Sequence, residues 1–383
     1  MAYPSRFLFA NQLRGLAALL VLLSHWFGVY WGMREVVASH IAAPVQGGTS
    51  PLAYHLVSFN PDFGLGPFGV SIFFLISGFV IPFSLEKMPS LPFLVARIFR
   101  IFPTYWVGLI MSLAFVWCSS RYWGNPVPWN MPGVLANLFL CNDLTGIASI
   151  DLVNWTLAIE IKFYIVAALL SSAIRERKIA YLFLFSGLAL LFNWNLKAII
   201  AVAGNSSAAT ILESMGTAFV YIQFMLIGTF FYYAVLQKIS TRSLLACCFF
   251  QLCIFALSWK LSPAGDQFPV VAWIYFYGFC LFALAFFLRH KFKTNKVIDL
   301  LAAVSFPLYV IHSLIGYTII RYLMHVGMSF NTSAGMALIC ALTLAYLLHR
   351  LVELPTMATG KRLALALQKI KRLPGKDEAI SGL

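Results

Sequence analysis

Long apolar runs, broken at intervals by short polar or basic segments, dominate the chain between residues 14 and 351. Runs of this kind read as membrane-crossing helices, because about 20 apolar helical residues match the ~30 Å hydrocarbon core. The pattern predicts ten spans, at 14–31, 69–86, 99–118, 154–174, 179–195, 213–236, 244–260, 269–288, 299–320 and 334–351. The runs do not alternate, so they fit helices and not the strands of a barrel. Segments 133–142 and 196–203 are apolar but too short to cross, and are expected to be re-entrant or interfacial. The expected fold class is therefore all-α, a polytopic transmembrane helix bundle of about ten spans with both termini cytoplasmic. One membrane domain over 1–355 is followed by a basic tail over 356–383, and no internal repeat or second soluble domain is visible.

Composition and charge sharpen this picture. Of 383 residues 61% are hydrophobic and only 10% charged, more apolar surface than a soluble core absorbs. The net charge of +14 would suggest nucleic acid in a soluble protein; here it is a topology signal, and no nucleic-acid partner is expected. With the N-terminus inside, the cytoplasmic segments hold Lys87, Arg97, Arg100, Arg175, Arg177, Lys178, Arg289, Lys291, Lys293 and the tail. The opposite loops hold only Arg34, Arg121, Lys197, Lys260 and Arg321. Trp31, Trp123, Trp129, Trp194 and Trp259 fall near outer helix ends, where interfacial tryptophans belong. The tail, with Lys361, Arg362 and Lys369 around LALAL, reads as an amphipathic helix on anionic membrane lipid. PDFGLGP at 61–67 closes the longest outer loop as a turn-rich end. A cleaved signal peptide fits poorly, since the first apolar run continues through Trp26, Phe27 and Trp31. The seven cysteines form no CxxC pair and read as small buried hydrophobes, with no metal site.

Ionisable groups inside spans need a reason to be there. They are Arg14, His25, Glu160, Lys162, Glu213 and His312. Arg14 and His25 are separated by about 1100° of helix, within ~20° of whole turns, so they share a face about 16 Å apart. His25 is either a satisfied core imidazole or a base placed to take a proton from an alcohol. Glu160, in NWTLAIEIKFY at 154–164, is either a counter-ion for Arg14 or Lys162, or a group that orients His25. Lys162 is expected to snorkel, and Glu213 to favour a helix N-terminus. Arg97 and Arg100 share a face of the third span; they serve as a topology signal or as a clamp for phosphate. There is no GxSxG elbow, no Walker A loop and no GxGxxG, which argues against a serine hydrolase, an ATP-driven pump and a dinucleotide enzyme.

Several stretches, in order, resemble the membrane acyltransferase 3 family. They are LRGLAALLVLLSHW at 13–26, GVSIFFLISGFVI at 69–81, ARIFRIFPTYW at 96–106, NWTLAIEIKFY at 154–164, SFPLYVIHSLI at 305–315 and VELPTM at 352–357. Asn11, Ser71 and Thr156 stand where the family often has an acidic residue, aspartate and serine. Glu160 thus becomes the candidate partner of His25. The resemblance implies a bacterial inner-membrane enzyme that moves an acyl group, usually acetyl, from cytoplasmic acyl-CoA to an acceptor hydroxyl. Acceptors in the family are commonly O-antigen, other exported polysaccharide or a lipid-linked saccharide, and some members carry a fused extracytoplasmic domain. The stretch beyond residue 351 is too short to hold one. On this reading Arg14, Arg97 and Arg100 meet acetyl-CoA or another short acyl-CoA, while His25 and Glu160 carry the chemistry. His312, Tyr309 and Trp155 are further candidates. His25 would act as base or would briefly carry the acyl group. The rival reading is a secondary transporter or flippase that uses the intramembrane His, Arg and Glu as a proton relay; a structural subunit is the third.

Overall fold

The computed structural model describes residues 5–58, 63–204 and 206–370. Within them the chain is helical and no strand forms. Helix α1 (Ser5–Leu23) runs without a break into a π-helical turn (Ser24–Val29) and a last helical turn (Tyr30–Gly32). Then follow α2 (Leu65–Lys87), α3 (Ser90–Trp123), α4 (Trp155–Leu169), α5 (Ile179–Ala203) and α6 (Ser207–Val235). The series closes with α7 (Thr241–Leu261), α8 (Val270–Phe287), α9 (Lys296–His325) and α10 (Phe330–Leu348). A second π-helical turn (His349–Glu353) carries α10 directly into α11 (Leu354–Ile370). The expected boundary at 355/356 therefore falls inside α11, which packs along α3 instead of standing apart.

Among the described residues, nine helices are long and apolar enough to cross a membrane. The span expected at 154–174 is the exception. Helix α4 ends at Leu169 and Ser171–Glu176 forms a separate short helix. Its 15 residues reach about 22 Å, short of a ~30 Å hydrocarbon core. Ser90 meets this early end: its hydroxyl donates to the Ala168 carbonyl at 2.9 Å and lies 3.0 Å from Ser171 Oγ. A carbonyl released at a helix terminus is thereby satisfied. Residues 196–203 are not a separate interfacial piece but the continuation of α5. Residues 133–142 do stay short, as a helix Met131–Leu138 whose Asn130 cap accepts from Gly133 N at 2.8 Å. The turn expected at 61–67 begins outside the described residues, and α2 starts within it at Leu65.

Helix α6 lies at the centre. Every side chain from Val220 to Tyr233 is buried, as befits an inner helix that is covered all round. It packs on α2 at very short range, because Gly78 and Gly228 face each other. A Cβ on Gly78 would strike the Met225 carbonyl, and one on Gly228 the Leu75 carbonyl. Thr229 Oγ1 donates across the crossing to the Gly78 carbonyl at 3.2 Å. Helix α1 packs on α2 and α9, and α9 also on α3 and α10. Helix α4 sits between α2, α3 and α6, which brings its polar residues into the bundle.

The two ends of the bundle differ. At one, Gln12 Nε2 donates to the Lys293 carbonyl at 2.7 Å, joining the start of α1 to the basic segment before α9. At the other, Arg321 Nε donates to the Pro44 carbonyl at 2.9 Å and Asn125 Nδ2 to the Ala42 carbonyl at 3.1 Å. Two of the expected interfacial tryptophans are core residues instead: Trp31 and Trp259 are 5% and 1% exposed. Packing from Tyr30 and Phe330 covers the first, and Tyr221 and Phe255 the second. The cysteines are free, but Cys118, Cys253 and Cys280 lie on the outside of the bundle and only Cys248 is fully buried.

Candidate active site

His25 stands in the π-helical turn that ends α1. A π turn holds one more residue than an α turn and so re-aims the side chains around it. His25 Nδ1 lies 2.6 Å from the Tyr317 hydroxyl of α9. Its ring meets His312 edge-on, with centroids 5.0 Å apart and planes at 87°. His312 Nδ1 faces the Tyr309 and Leu308 carbonyls at 2.8 and 3.2 Å. Carbonyls only accept, so the proton of neutral His312 sits on Nδ1 and the lone pair on Nε2. That Nε2 is buried and has no hydrogen-bond partner among the described residues. Trp26 packs over Gly316 and donates from Nε1 to the His312 carbonyl at 2.8 Å, pinning the turn to α9. Tyr317 has no counterpart in the sequence expectations; its only signal is its place five residues after His312.

Two cavities adjoin. The first is lined by Arg14, Arg100, Glu160, Ser77, Tyr164 and Thr156, with an apolar wall that includes Phe73 and Phe74. The second is lined by His25, Ser24, Trp155, Tyr221 and Tyr275 among others. Val70 and Tyr309 line both. The structure thus brings Arg14, Arg100 and Glu160 together, and His25 with Trp155; Tyr309 belongs to each group. His312 lines neither cavity but supports His25 from behind.

Four expectations are corrected by this geometry. Glu160 does not pair with His25: its Oε1 accepts from Ser77 Oγ at 3.2 Å and from the Tyr164 hydroxyl, in the other cavity. The reason is that α4 enters between α2 and α3, away from the turn that carries His25. Arg97 does not line the cavity beside Arg100. Its guanidinium donates to Ser84 Oγ and lies 5.3 and 5.7 Å from the rings of Phe93 and Tyr164. It therefore backs the Tyr164 ring that holds Glu160. Lys162 does not snorkel; it pairs with Asp143, which also accepts from Ser214 Oγ at 2.7 Å. Glu213 lies past the start of α6 and is exposed.

The start of α4 is held by a buried polar clasp. Asp151 Oδ1 accepts from the backbone N–H groups of Val153 and Asn154 at 2.9 and 2.7 Å. Asn154 Nδ2 donates to Asn137 Oδ1 at 2.8 Å and to the Tyr105 hydroxyl at 3.2 Å. The Tyr309 hydroxyl reaches the Val153 carbonyl at 3.0 Å and Thr156 Oγ1 at 2.6 Å. This clasp places Trp155 and Thr156 on the cavity walls. Burial pushes the Asp151 carboxyl up to about 6, against the lowering effect of its backbone hydrogen bonds.

Among the described residues no three His, Cys, Asp or Glu side chains gather as a metal site would require. The chemistry on offer is a base with one nitrogen held, a cationic recess and an aromatic recess beside it. The model of the acyltransferase 3 family, described as an acyltransferase domain, matches residues 7–350. No curated protein and no solved structure gives a match. The matched region contains α1 to α10 whole except for the first two residues of α1, together with every side chain of both cavities. The chain belongs to the acyltransferase 3 family and is a membrane acyltransferase.

Proposed function

We propose that this acyltransferase moves a short acyl group, acetyl first among them, from acyl-CoA to a hydroxyl of an envelope carbohydrate or lipid-linked saccharide at a bacterial inner membrane. The carrying observation is that one wall, Val70 and Tyr309, separates a recess with Arg14 and Arg100 from a recess with His25. Guanidiniums suit the phosphate oxygens of CoA. The aromatic rings of Trp155, Tyr221 and Tyr275 suit the faces and edges of a sugar, being apolar bodies with polar tips. The end that holds Lys87, Arg289 and Lys293 is cytoplasmic on this reading, because basic loops stay inside.

In the reaction, the acceptor oxygen attacks the thioester carbonyl. A C–O bond forms, the C–S bond breaks, and the hydroxyl proton passes to His25 Nε2, then to the departing CoA sulfur. For this the Nδ1–H of His25 donates to the Tyr317 oxygen, which leaves the lone pair on Nε2. The rival reading, a relay through the intramembrane His, Arg and Glu, is less favoured, since His25 and Glu160 have separate partners and line separate cavities. The test compares envelope polysaccharide from cells with and without the protein by mass spectrometry. Acyl groups that vanish with the protein support the proposal; an unchanged acylation pattern overturns it.

A further inference from the structure

Among the described residues only Val70 and Tyr309 line both cavities, so whatever passes from one to the other passes them. They come from different helices, α2 and α9, and differ in freedom. Tyr309 is clamped: its hydroxyl is held by Thr156 and the Val153 carbonyl, and its ring stands edge-on to Phe73 with centroids 5.8 Å apart. Val70 is a short, buried, branched side chain with no polar tie. Phe73 and Phe74, three and four residues on, extend the apolar wall of the cationic cavity along the same side of α2. With the phosphates of an acyl-CoA at the arginines, the pantetheine arm would lie along this wall and bring the thioester, acyl chain leading, to the partition.

We propose that Val70 and Tyr309 form an acyl-length gate, in which Val70 sets the width and the clamped Tyr309 is the fixed post. This rests on the reading that acyl-CoA occupies the cationic cavity. The reactive carbonyl must come level with the partition for the nucleophile activated by His25 to reach it. An acyl chain longer than the space beside Val70 holds the carbonyl back on the wrong side. Chain-length preference is then set by this wall and not by contacts to CoA itself.

The test is transfer by the full-length protein in detergent or liposomes, with acetyl-, butyryl- and hexanoyl-CoA as donors. Val70→Ala should raise the butyryl-to-acetyl ratio of kcat/KM by roughly 10-fold or more, the usual worth of a methylene or two in an apolar pocket. Val70→Ile should lower that ratio, and it keeps the test alive if the alanine variant is too unstable to purify. Unchanged ratios in a purified, acetyl-transferring variant overturn the gate and leave the functional reading standing. If the wild type transfers no acyl group from any of the thioesters, the functional reading falls, and the gate with it.

Discussion

His25 and Tyr317 form a hydrogen-bonded pair between the end of α1 and the middle of α9, with His25 Nδ1 at 2.6 Å from the phenol oxygen. The bond fixes which nitrogen of the imidazole faces the cavity. A histidine held in this way presents one defined nitrogen to a substrate, as general-base catalysis requires. Tyr317→Phe should therefore lower kcat by roughly 5- to 30-fold, the worth of about 1–2 kcal/mol for a lost buried hydrogen bond. Acyl-CoA affinity should stay unchanged. Steady-state kinetics beside a binding measurement on the same preparation decide it.

His25→Ala should abolish transfer while expression and membrane insertion stay near normal, because alanine is easier to place in lipid than imidazole. Wild-type acylation by this variant would remove His25 from the mechanism.

The arginines should separate by role. Arg100→Ala should weaken acyl-CoA binding about 10-fold or more, the scale of one charge-assisted contact. Arg100→Lys should recover part of it, since the charge stays and the two-pronged geometry goes. Arg97→Ala should affect turnover more than binding, because Arg97 touches Tyr164 and Ser84 and not the cavity. Titration of purified variants with CoA gives the affinities, and equal losses in both alanine variants would return Arg97 to the binding site.

Asp151 supplies a pH signature in stability. Its carboxyl, at about 6 in the folded chain and near 3.8 when unfolded, binds more protons folded than unfolded between those values. Stability from this group is thus full below about pH 4 and is lost as pH rises through about 6. Asp151→Asn keeps an oxygen for the Val153 and Asn154 amides, so it should flatten that dependence and raise the melting temperature at pH 7. Thermal unfolding at pH 4.5 and 7 compares the two proteins.

Topology offers a further check. Reporter or cysteine-labelling probes at 87–90, at 289–295 and on α11 should all report the cytoplasmic side, and probes at 33–58 the other. A probe on α11 that reports the outside would mean that α4 does not complete a crossing.

The sequence reveals the crossing helices well, because twenty uncharged residues in a row have few other places to go. It reveals α4 poorly: apolar residues run past Leu169, and the Ser90–Ala168 contact that meets the helix end comes from far away in sequence. The pairing of Arg14 with Arg100 around one cavity could not be read from either helix alone. Spacing of three residues puts Arg97 and Arg100 on one face, but they still differ by about 60°. That angle decides which one reaches the cavity. Periodicity gives the face of Glu160 and says nothing of the neighbouring helix it meets, so its real partners, Ser77 and Tyr164, stay hidden. The polar clasp around Asp151 and Asn154 lies in a loop whose residues look like ordinary turn formers until Tyr105, Asn137 and Tyr309 close on it.

The π-helical turn at Ser24–Val29 makes α1 sensitive to counting. An α-helix forgives replacement of most lipid-facing residues, since each new side chain keeps its direction. Deleting one residue within this turn would instead let it relax to α geometry: the flanking segments stay in phase because only the surplus residue goes, but the side chains inside the turn lose the directions the bulge gives them. Gly15, which fits closely against Ala302, would keep its place on α9, while the aim of His25 at Tyr317 and of Trp26 at the His312 carbonyl, both set inside the turn, would be lost. The position of the histidine is thus encoded in a surplus of one residue, so single-residue indels here should be far less tolerated than conservative substitutions at the same sites.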